Sequence, residues 1–138
     1  MKFERPDGFV SDLPNCGITA LAVVTGQDYE TMRLWFEKAM GIKRPGAWKG
    51  WTKSSYYEKA LRHFKVRFRW AVPAGASIAL GAFSEMHTLK SATYLIRIPG
   101  HVLVLRDGLV LDNRGSEPVK PVEKYRRRKV THAWIINP

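Results

Sequence analysis

Three residues of this chain have side chains that together can carry out nucleophilic chemistry: Cys16, His101 and Asp112. Cys16 is the only cysteine, and it stands near the start of a nearly unbroken apolar segment, residues 15–26. This segment predicts a short buried helix with Cys16 in its first turn. The free N–H groups and partial positive charge of a helix N-terminus favour a thiolate over a thiol. Cys16 is therefore a candidate nucleophile, although a free cysteine is more often a small apolar core residue.

His101 and Asp112 flank a predicted hairpin. The apolar runs 101–106 and 109–112 are separated by Asp107-Gly108, a favoured two-residue turn. With these two residues in the turn, Arg106 faces Leu109, and residues 101 and 112 are diagonal neighbours on one face of the sheet. Diagonal side chains lie close enough for a histidine–carboxylate hydrogen bond. A shift of one residue in loop length places Asn113 opposite His101 instead, so Asn113 is the alternative partner.

The hydrophobic pattern predicts helices in the first half of the chain and strands in the second. Beyond the Cys16 helix, the predicted helices are 28–40 with Asp28 as N-cap, 52–64 with Thr52 as N-cap, and about 80–86. The predicted strands are 66–72, 92–98, 101–106, 109–112 and 130–136. Turn formers at 11–14 precede the first helix, and 42–51 and 114–129 are predicted loops. Several strands are apolar on both faces, so the sheet is expected to be central or covered on both sides.

This order of elements predicts an α+β protein with one domain, residues 1–138, in which N-terminal helices, including the buried Cys-bearing helix, pack on a C-terminal antiparallel sheet. The pattern Asn-Cys-Gly-Ile-Thr-Ala-Leu, followed much later by Gly-His-Val-Leu-Val-Leu-Arg-Asp-Gly-Leu-Val-Leu-Asp, resembles the papain-like cysteine peptidase superfamily. Within it, the compact bacteriocin-leader-processing peptidases are the most similar branch. These motifs cover about 30 residues, in the order Cys, His, Asp.

The resemblance implies a role for each matching residue. Cys16 would be the nucleophile, His101 the general base, and Asp112 the residue that orients the imidazole. The family usually has a Gln six residues before the Cys, which donates into the oxyanion hole, and this chain has Val10 there. Loss of one such donor typically lowers the rate by about 10²–10³. The backbone N–H of Cys16 remains as a donor, and Asn15 is a candidate if its side chain turns inward.

The composition limits the other classes of function. No apolar run reaches the ~20 residues that a membrane span needs, and the N-terminus has no signal-peptide pattern, so no membrane association is expected. A single cysteine excludes an internal disulfide and fits a cytoplasmic location. One Cys and four scattered His show no metal-ligand spacing, so neither a metal nor another cofactor is expected.

The chain is strongly basic, with 23 Lys and Arg against 12 Asp and Glu, a net charge of +11. Such a charge suits polyanion or acidic protein partners, or serves solubility alone. Trp48 and Trp51 lie among basic residues of the 42–51 loop and are candidates to shape a substrate cleft. The candidate basic binding surface consists of Arg67, Arg69, Arg126, Arg127, Arg128 and Lys129.

Three hypotheses follow for function. The first is a cysteine peptidase, or a related acyl-transfer enzyme, that acts on a peptide or protein. The second is a weakly active or inactive scaffold of the same fold that binds nucleic acid or an acidic protein. The third is a small basic nucleic-acid-binding domain unrelated to thiol hydrolases, which would be favoured if Cys16 and His101 were far apart.

Overall fold

The computed structural model describes residues 1–10, 14–44, 48–72 and 77–138. Most of the turn predicted at 11–14, the middle of the loop predicted at 42–51, and residues 73–76 lie outside these ranges. Within them the predicted helices and strands occur in the predicted order, with three helices before the first strand and a fourth helix before the remaining strands of the main sheet. None of the helices in the described ranges is long and apolar enough to cross a membrane.

The first helix is apolar on all sides and is almost completely enclosed. Eight of its ten residues, from Gly17 to Val24, are buried. Gly26 ends it in the left-handed conformation, a common helix stop. Asp28 caps the next helix, because its side chain accepts a hydrogen bond from the Thr31 N–H. The helices are α1 (Cys16–Thr25), α2 (Tyr29–Ala39), α3 (Tyr57–His63) and α4 (Leu80–Met86).

The strands form one six-stranded antiparallel sheet and a separate pair. They are β1 (Phe68–Val72), β2 (Ile78–Ala79), β3 (Thr93–Ile98), β4 (His101–Arg106), β5 (Leu109–Leu111), β6 (Val119–Pro121), β7 (Lys129–Val130) and β8 (His132–Ile136). The sheet order is β1-β8-β3-β4-β5-β6, and β2 pairs with β7. Strand β4, which begins with His101, is therefore interior to the sheet.

The β4–β5 hairpin has the predicted register. Arg106 pairs with Leu109 and Val104 pairs with Leu111. Asp107 (φ 49°) and Gly108 (φ 76°) are both left-handed, as a type I′ turn requires. The turn fixes the alignment of the two strands, so the position of residue 112 relative to His101 follows from local sequence.

Apolar side chains cover both faces of the sheet, as expected from its apolar strands. Val102 and Val104 join the core that contains α1, α2 and α3. Leu103 and Leu105 join a second core, which contains Leu80 from α4. Strand β4 is thus buried on both faces, and the position of His101 is set by two independent packing surfaces.

Two predicted elements were wrong in detail. Thr52 does not cap a helix, because a 3₁₀ turn at Ser54–Tyr56 precedes α3, and the Thr52 hydroxyl instead meets that of Tyr57 at 3.2 Å. The segment 114–129 is not simply a loop, since it contains β6, a 3₁₀ turn at Val122–Tyr125, and the first residue of β7. That segment is rich in proline and charged residues, so its sequence lacks the alternating hydrophobic pattern that would predict its short strands.

Candidate functional site

Cys16 is the first residue of α1 and is half-buried. It lines a cleft of about 830 Å³ together with His101. Helix α1 packs on β4, which brings the start of the helix to the start of that strand. The two residues are 85 positions apart in the sequence, yet they share one cleft, which argues against the hypothesis of an unrelated nucleic-acid-binding domain.

His101 is held by Asp112. The His101 Nε2 and Asp112 Oδ2 atoms are 2.7 Å apart, and both side chains are at most 1% exposed. Of the two alternatives for this contact, the structure has Asp112 and not Asn113. The bond occupies Nε2, so Nδ1 is the ring nitrogen left to exchange a proton with another group.

Asp112 accepts several other hydrogen bonds. Tyr125 donates its hydroxyl hydrogen to Oδ2 at 2.5 Å, and the buried Lys120 ammonium contacts Oδ1. The backbone N–H of Arg114 donates to Oδ1 at 3.3 Å. Sequence reasoning missed Lys120 and Tyr125, because both lie in the segment assigned to a polar loop. We refer to His101, Asp112, Lys120 and Tyr125 as the Asp112 cluster.

The cluster shifts the titration of its members. Burial raises the pKa of the Asp112 carboxyl, but the hydrogen bonds from His101, Lys120 and Tyr125 outweigh burial and hold that pKa well below its usual range. Burial lowers the pKa of His101, the hydrogen bond to Asp112 opposes this, and the positive charges of Arg114 and Lys120 add to the lowering. Burial and the Asp112 carboxylate together raise the pKa of Tyr125 to about 12. Near neutral pH the cluster thus contains an ionised Asp112, a neutral imidazole and a protonated phenol.

An N-terminal arginine fixes the loop that follows Asp112. Arg5 Nε donates to the carbonyl of Asp112 at 2.9 Å, and its Nη2 donates to the carbonyls of Arg114 and Gly115 at 3.1 and 2.9 Å. Its guanidinium lies over the Phe9 ring, 4.5 Å from the centroid. The N-terminal segment therefore holds the loop that follows Asp112 in place, a role that its sequence did not indicate.

Asn15 turns inward but does not point its amide into the cleft. Its side chain is fully buried, and Nδ2 donates to the Val10 carbonyl at 2.6 Å and to the Tyr29 hydroxyl at 3.1 Å. Its Oδ1 accepts from Asn113 Nδ2 at 2.8 Å. Both amide hydrogens are therefore used, and the expectation that Asn15 supplies an oxyanion donor was wrong. The side chain of Asn113 holds Asn15 in place through this hydrogen bond.

Val10 stands where a Gln would be expected from the resemblance, and its side chain is 43% exposed. Two hydroxyls lie instead against the first turn of α1. A Cβ placed on Gly17 would come within 2.0 Å of Thr52 Oγ1 and 3.1 Å of the Tyr57 hydroxyl oxygen. Both side chains line the cleft beside Cys16. Burial raises the pKa of Tyr57, so its hydroxyl stays a hydrogen-bond donor at neutral pH.

We expect Gly17→Ala to destabilise the protein by about 1–3 kcal/mol, the usual effect of overpacking, because its methyl group must displace Thr52. Urea unfolding measures this loss. Gly17→Ala combined with Thr52→Ala should recover part of it, since the nearest clashing atom is then absent. Equal stability of Gly17→Ala and wild type would contradict the close approach of Thr52 to the helix.

The two tryptophans of the predicted cleft have different positions. Trp51 lines the cleft and is 60% exposed, as expected for a substrate contact. Trp48 is not among the cleft-lining residues of the described ranges. It packs on the core, and its Nε1 donates to the Trp51 carbonyl at 3.0 Å. Trp48 thus supports the backbone at Trp51, and a direct contact of Trp48 with substrate remains a prediction.

The basic residues of the candidate binding surface lie on two separate elements. Arg67 and Arg69 are exposed, at the start of β1 on the edge of the sheet. The second group, 126–129, packs against the start of α4, where the carbonyls of Arg128 and Arg126 accept from the N–H groups of Leu80 and Gly81. None of these six residues lines the described part of the cleft. The group at 126–129 therefore has a structural role in capping α4.

No side-chain group suited to a metal ion, with at least three His, Cys, Asp or Glu together, occurs in the described ranges. The reactive groups that line the cleft are a thiol and an imidazole, and the buried Asp112 carboxylate is bonded to that imidazole.

Comparison with protein-family models gave no match, and comparison with curated proteins gave none either. Among solved structures, the chain is similar to a double glycine motif protease from an AMS/PCAT transporter, determined in complex with the leader peptide. The TM-score is 0.60 at 16% sequence identity, and the alignment covers 99% of this chain and 94% of that one.

This likeness establishes the class of fold: the chain has the papain-like peptidase fold. The α+β architecture and the resemblance to leader-processing peptidases are thereby confirmed at the level of the fold.

Proposed function

We propose that this chain is a papain-like cysteine peptidase, formed by residues 1–138 as one domain, that hydrolyses a peptide or protein substrate through Cys16, His101 and Asp112. The observation that carries the proposal is the 2.7 Å bond between His101 Nε2 and Asp112 Oδ2, in a cleft that Cys16 also lines. This bond fixes the ring and leaves Nδ1 for the thiol. The similarity to a solved protease supports the proposal through the fold.

In this mechanism the neutral His101 imidazole takes the Cys16 proton on Nδ1. The Cys16 sulfur then attacks the substrate carbonyl carbon, and the C–N bond breaks as His101 returns the proton to the leaving amine. Water, deprotonated by His101, hydrolyses the thioester and regenerates the thiol. Asp112 stays ionised throughout and stabilises the transient imidazolium.

The oxyanion of the tetrahedral intermediate would be bound at the start of α1. The Cys16 backbone N–H has no acceptor within the helix, since it belongs to the first turn. The family usually has a Gln side chain as the second donor, and Val10 at that position has no donor group. We infer that the hydroxyls of Thr52 and Tyr57 supply this donor instead. Their hydroxyls line the cleft beside the first turn of α1.

The oxyanion assignment predicts that Tyr57→Phe or Thr52→Ala lowers kcat by about 10²–10³, as for loss of one oxyanion donor. Because neither hydroxyl activates the thiol, the rate at which iodoacetamide alkylates Cys16 should change less than threefold. Tyr56→Phe, which alters the neighbouring tyrosine, is the matched control. Unchanged hydrolysis in both variants would contradict this assignment while leaving the nucleophile untested.

The experiment that tests the proposed function is the pH dependence of Cys16 alkylation by iodoacetamide, followed by mass spectrometry. Cys16 is the only cysteine, so one added carbamidomethyl group reports this site alone. Wild type should react rapidly near pH 6.5, because His101 accepts the thiol proton. His101→Ala should react up to about a hundredfold more slowly there, because it has no base to take the thiol proton as the sulfur attacks, and an ordinary thiol with a pKa of about 8.5 is only about 1% ionised at that pH.

The exposed His87 provides the matched control. His87→Ala should keep the wild-type profile, while Cys16→Ala should remove both labelling and peptide hydrolysis. If Cys16 in wild type reacts only above pH 8, or equally in His101→Ala, the peptidase proposal fails. No observation on the described residues favours the alternative of nucleic-acid binding, so the peptidase is the single function proposed here.

A further inference from the structure

The described walls of the cleft carry positive charge and no negative charge. Lys53, Arg97 and Arg114 line it, and no Asp or Glu does so in the described ranges. The remaining polar lining is mostly hydroxyl-bearing, with Thr52, Ser54 and others beside Cys16. Such a cleft attracts anions, and its low-dielectric walls strengthen that attraction.

Arg97 is a half-buried cation with one polar side-chain partner. It lies on β3, and its Nη1 donates to Ser54 Oγ at 2.8 Å. Among the described residues, no carboxylate comes within 4.0 Å of its guanidinium. Its charge reaches into the cleft, because it lowers the pKa of Tyr57 against the effect of burial. A partly buried guanidinium with one neutral partner is suited to pair with an incoming carboxylate.

Arg114 presents a second guanidinium from a fixed backbone. Its carbonyl accepts hydrogen bonds from Arg5 and from Lys120, while its side chain is exposed at the cleft. Its positive charge contributes to the lowered pKa of His101, which places the charge close to the reacting group. No carboxylate pairs with Arg114 in the described part of the chain.

The two arginines lie on opposite sides of His101. Strand β4 runs between β3, which carries Arg97, and β5, which Arg114 follows. Both arginines line the cleft, so a peptide whose scissile bond lies at His101 and Cys16 passes both guanidinium groups. Either arginine can bind a carboxylate in bidentate geometry.

We propose that the cleft selects peptides that carry a carboxylate within a few residues of the scissile bond, with Arg97 and Arg114 as specificity-determining residues. This inference rests on the proposed function for the position of the scissile bond. The carboxylate has two possible sources, an Asp or Glu side chain or the C-terminus of the peptide.

The test measures peptide binding to the full chain carrying Cys16→Ala, so that no turnover is needed. The first set of probes consists of acetylated hexapeptide amides of Gly and Ala that carry a single Glu or Gln at each of the six positions in turn. The second set contains the same Gly and Ala peptides without Glu but with a free C-terminal carboxylate. NMR titration gives the dissociation constants. We expect Glu to bind about tenfold tighter than Gln at one or two positions, as a charge-assisted hydrogen bond would give.

Two variants and one control decide whether the arginines of the cleft cause the preference for Glu over Gln. Arg97→Gln and Arg114→Gln should each remove most of the preference for Glu, whereas Arg69→Gln, an exposed arginine on the edge strand, should change binding less than twofold. Arg114→Gln alters an exposed side chain, so it remains informative if Arg97→Gln does not fold. Preference for the free C-terminus alone would support the carboxylate site and assign the chain end as its source.

The inference is overturned if Glu and Gln peptides bind equally, or if Arg69→Gln weakens binding as much as the cleft variants do. The second result would mean that net charge alone attracts the peptides. Failure of the alkylation test with selective binding intact would instead leave a carboxylate-binding cleft without peptidase chemistry, so the two failures are distinguishable.

Discussion

Replacing Asp112 by alanine should destabilise the protein by about 3–5 kcal/mol, because it leaves the Lys120 ammonium buried without its carboxylate. The same change should lower peptide hydrolysis by about 10³–10⁴, since nothing then fixes the ring of His101. The free energy of unfolding is measured by urea titration. Its slope against urea concentration should be the same in the variant and in wild type, so that the two free energies can be compared.

A double variant separates the two roles of Asp112. Lys120→Met removes the buried cation, so Asp112→Ala with Lys120→Met should be more stable than Asp112→Ala alone by about 2 kcal/mol or more. Hydrolysis and Cys16 alkylation at neutral pH should nevertheless stay impaired, because the His101 ring is still free to turn. Recovery of activity together with stability would mean that Asp112 is structural only.

Asp112→Asn provides the matched, nearly isosteric control. Its amide keeps the size of the side chain but loses the charge and one acceptor oxygen, so its stability should lie between wild type and Asp112→Ala. An effect of Asp112→Ala below about 1 kcal/mol would show that the Arg114 carbonyl or water is enough to satisfy the Lys120 ammonium, and would contradict a stabilising role for the buried ion pair.

Lowering the pH should decrease the stability of the protein in two overlapping stages, the first due to His101 and the second due to Asp112. Burial lowers the folded-state pKa of His101, so the unfolded chain binds a proton first, and stability falls as the pH drops through the ordinary histidine pKa of about 6.5. The hydrogen bonds to Asp112 hold its folded-state pKa below the ordinary value of about 3.9, so a second loss follows below that pH. His132 adds to the first stage, because burial lowers its pKa as well.

Urea midpoints measured between pH 7.5 and 3 test this expectation. His101→Gln should be less stable throughout, but its midpoint should decline less between pH 7 and 5 than that of wild type. His87→Gln should follow the wild-type slope, since that residue is exposed. A wild-type midpoint that stays constant from pH 7.5 to 5 would mean that His101 is not buried as a neutral imidazole.

The Asp112 cluster explains how a histidine at the start of an interior strand can be buried and still serve as the base of the proposed mechanism. Asp112 supplies the charge that favours an imidazolium, while burial, Lys120 and Arg114 keep the resting ring neutral. In the proposed mechanism this neutral imidazole takes the Cys16 proton as the sulfur attacks. Tyr125 is a third side-chain donor to the carboxylate, and its ring centroid lies 5.7 Å from that of His101.

Much of the site followed from the sequence because its determinants are local. The Asp107-Gly108 turn sets the register of β4 and β5, and this register places Asp112 diagonally across from His101. The apolar segment that begins at Cys16 is hydrophobic on all sides, so it must be enclosed, with its start at the edge of the core. The papain-like architecture was implied by the resemblance of these two motifs to that family, whereas the residues themselves predicted only an α+β plan.

The rest was not predictable from sequence because it depends on contacts between distant segments. Arg5 bonds to the Asp112 carbonyl across 107 residues, and Arg97 bonds to Ser54 across 43. Lys120 and Tyr125 are nearer in sequence to Asp112, but proline and charge around them gave no periodic pattern from which β6 could be inferred. From the sequence, Asn15 was a candidate donor only if its side chain turned inward, and only the positions of Val10 and Tyr29 show where its amide hydrogens go.

The sequence alone thus determined the identity and order of the candidate nucleophile, base and orienting carboxylate, because hydrophobic pattern and turn chemistry act over a few residues. The tertiary structure decided what surrounds them: the cation that pairs with Asp112, the hydroxyls beside Cys16 and the two arginines across the cleft. Those features arise where chain segments that are far apart in sequence come into contact. The sequence pattern of one segment does not show which side chains of a distant segment will lie next to it.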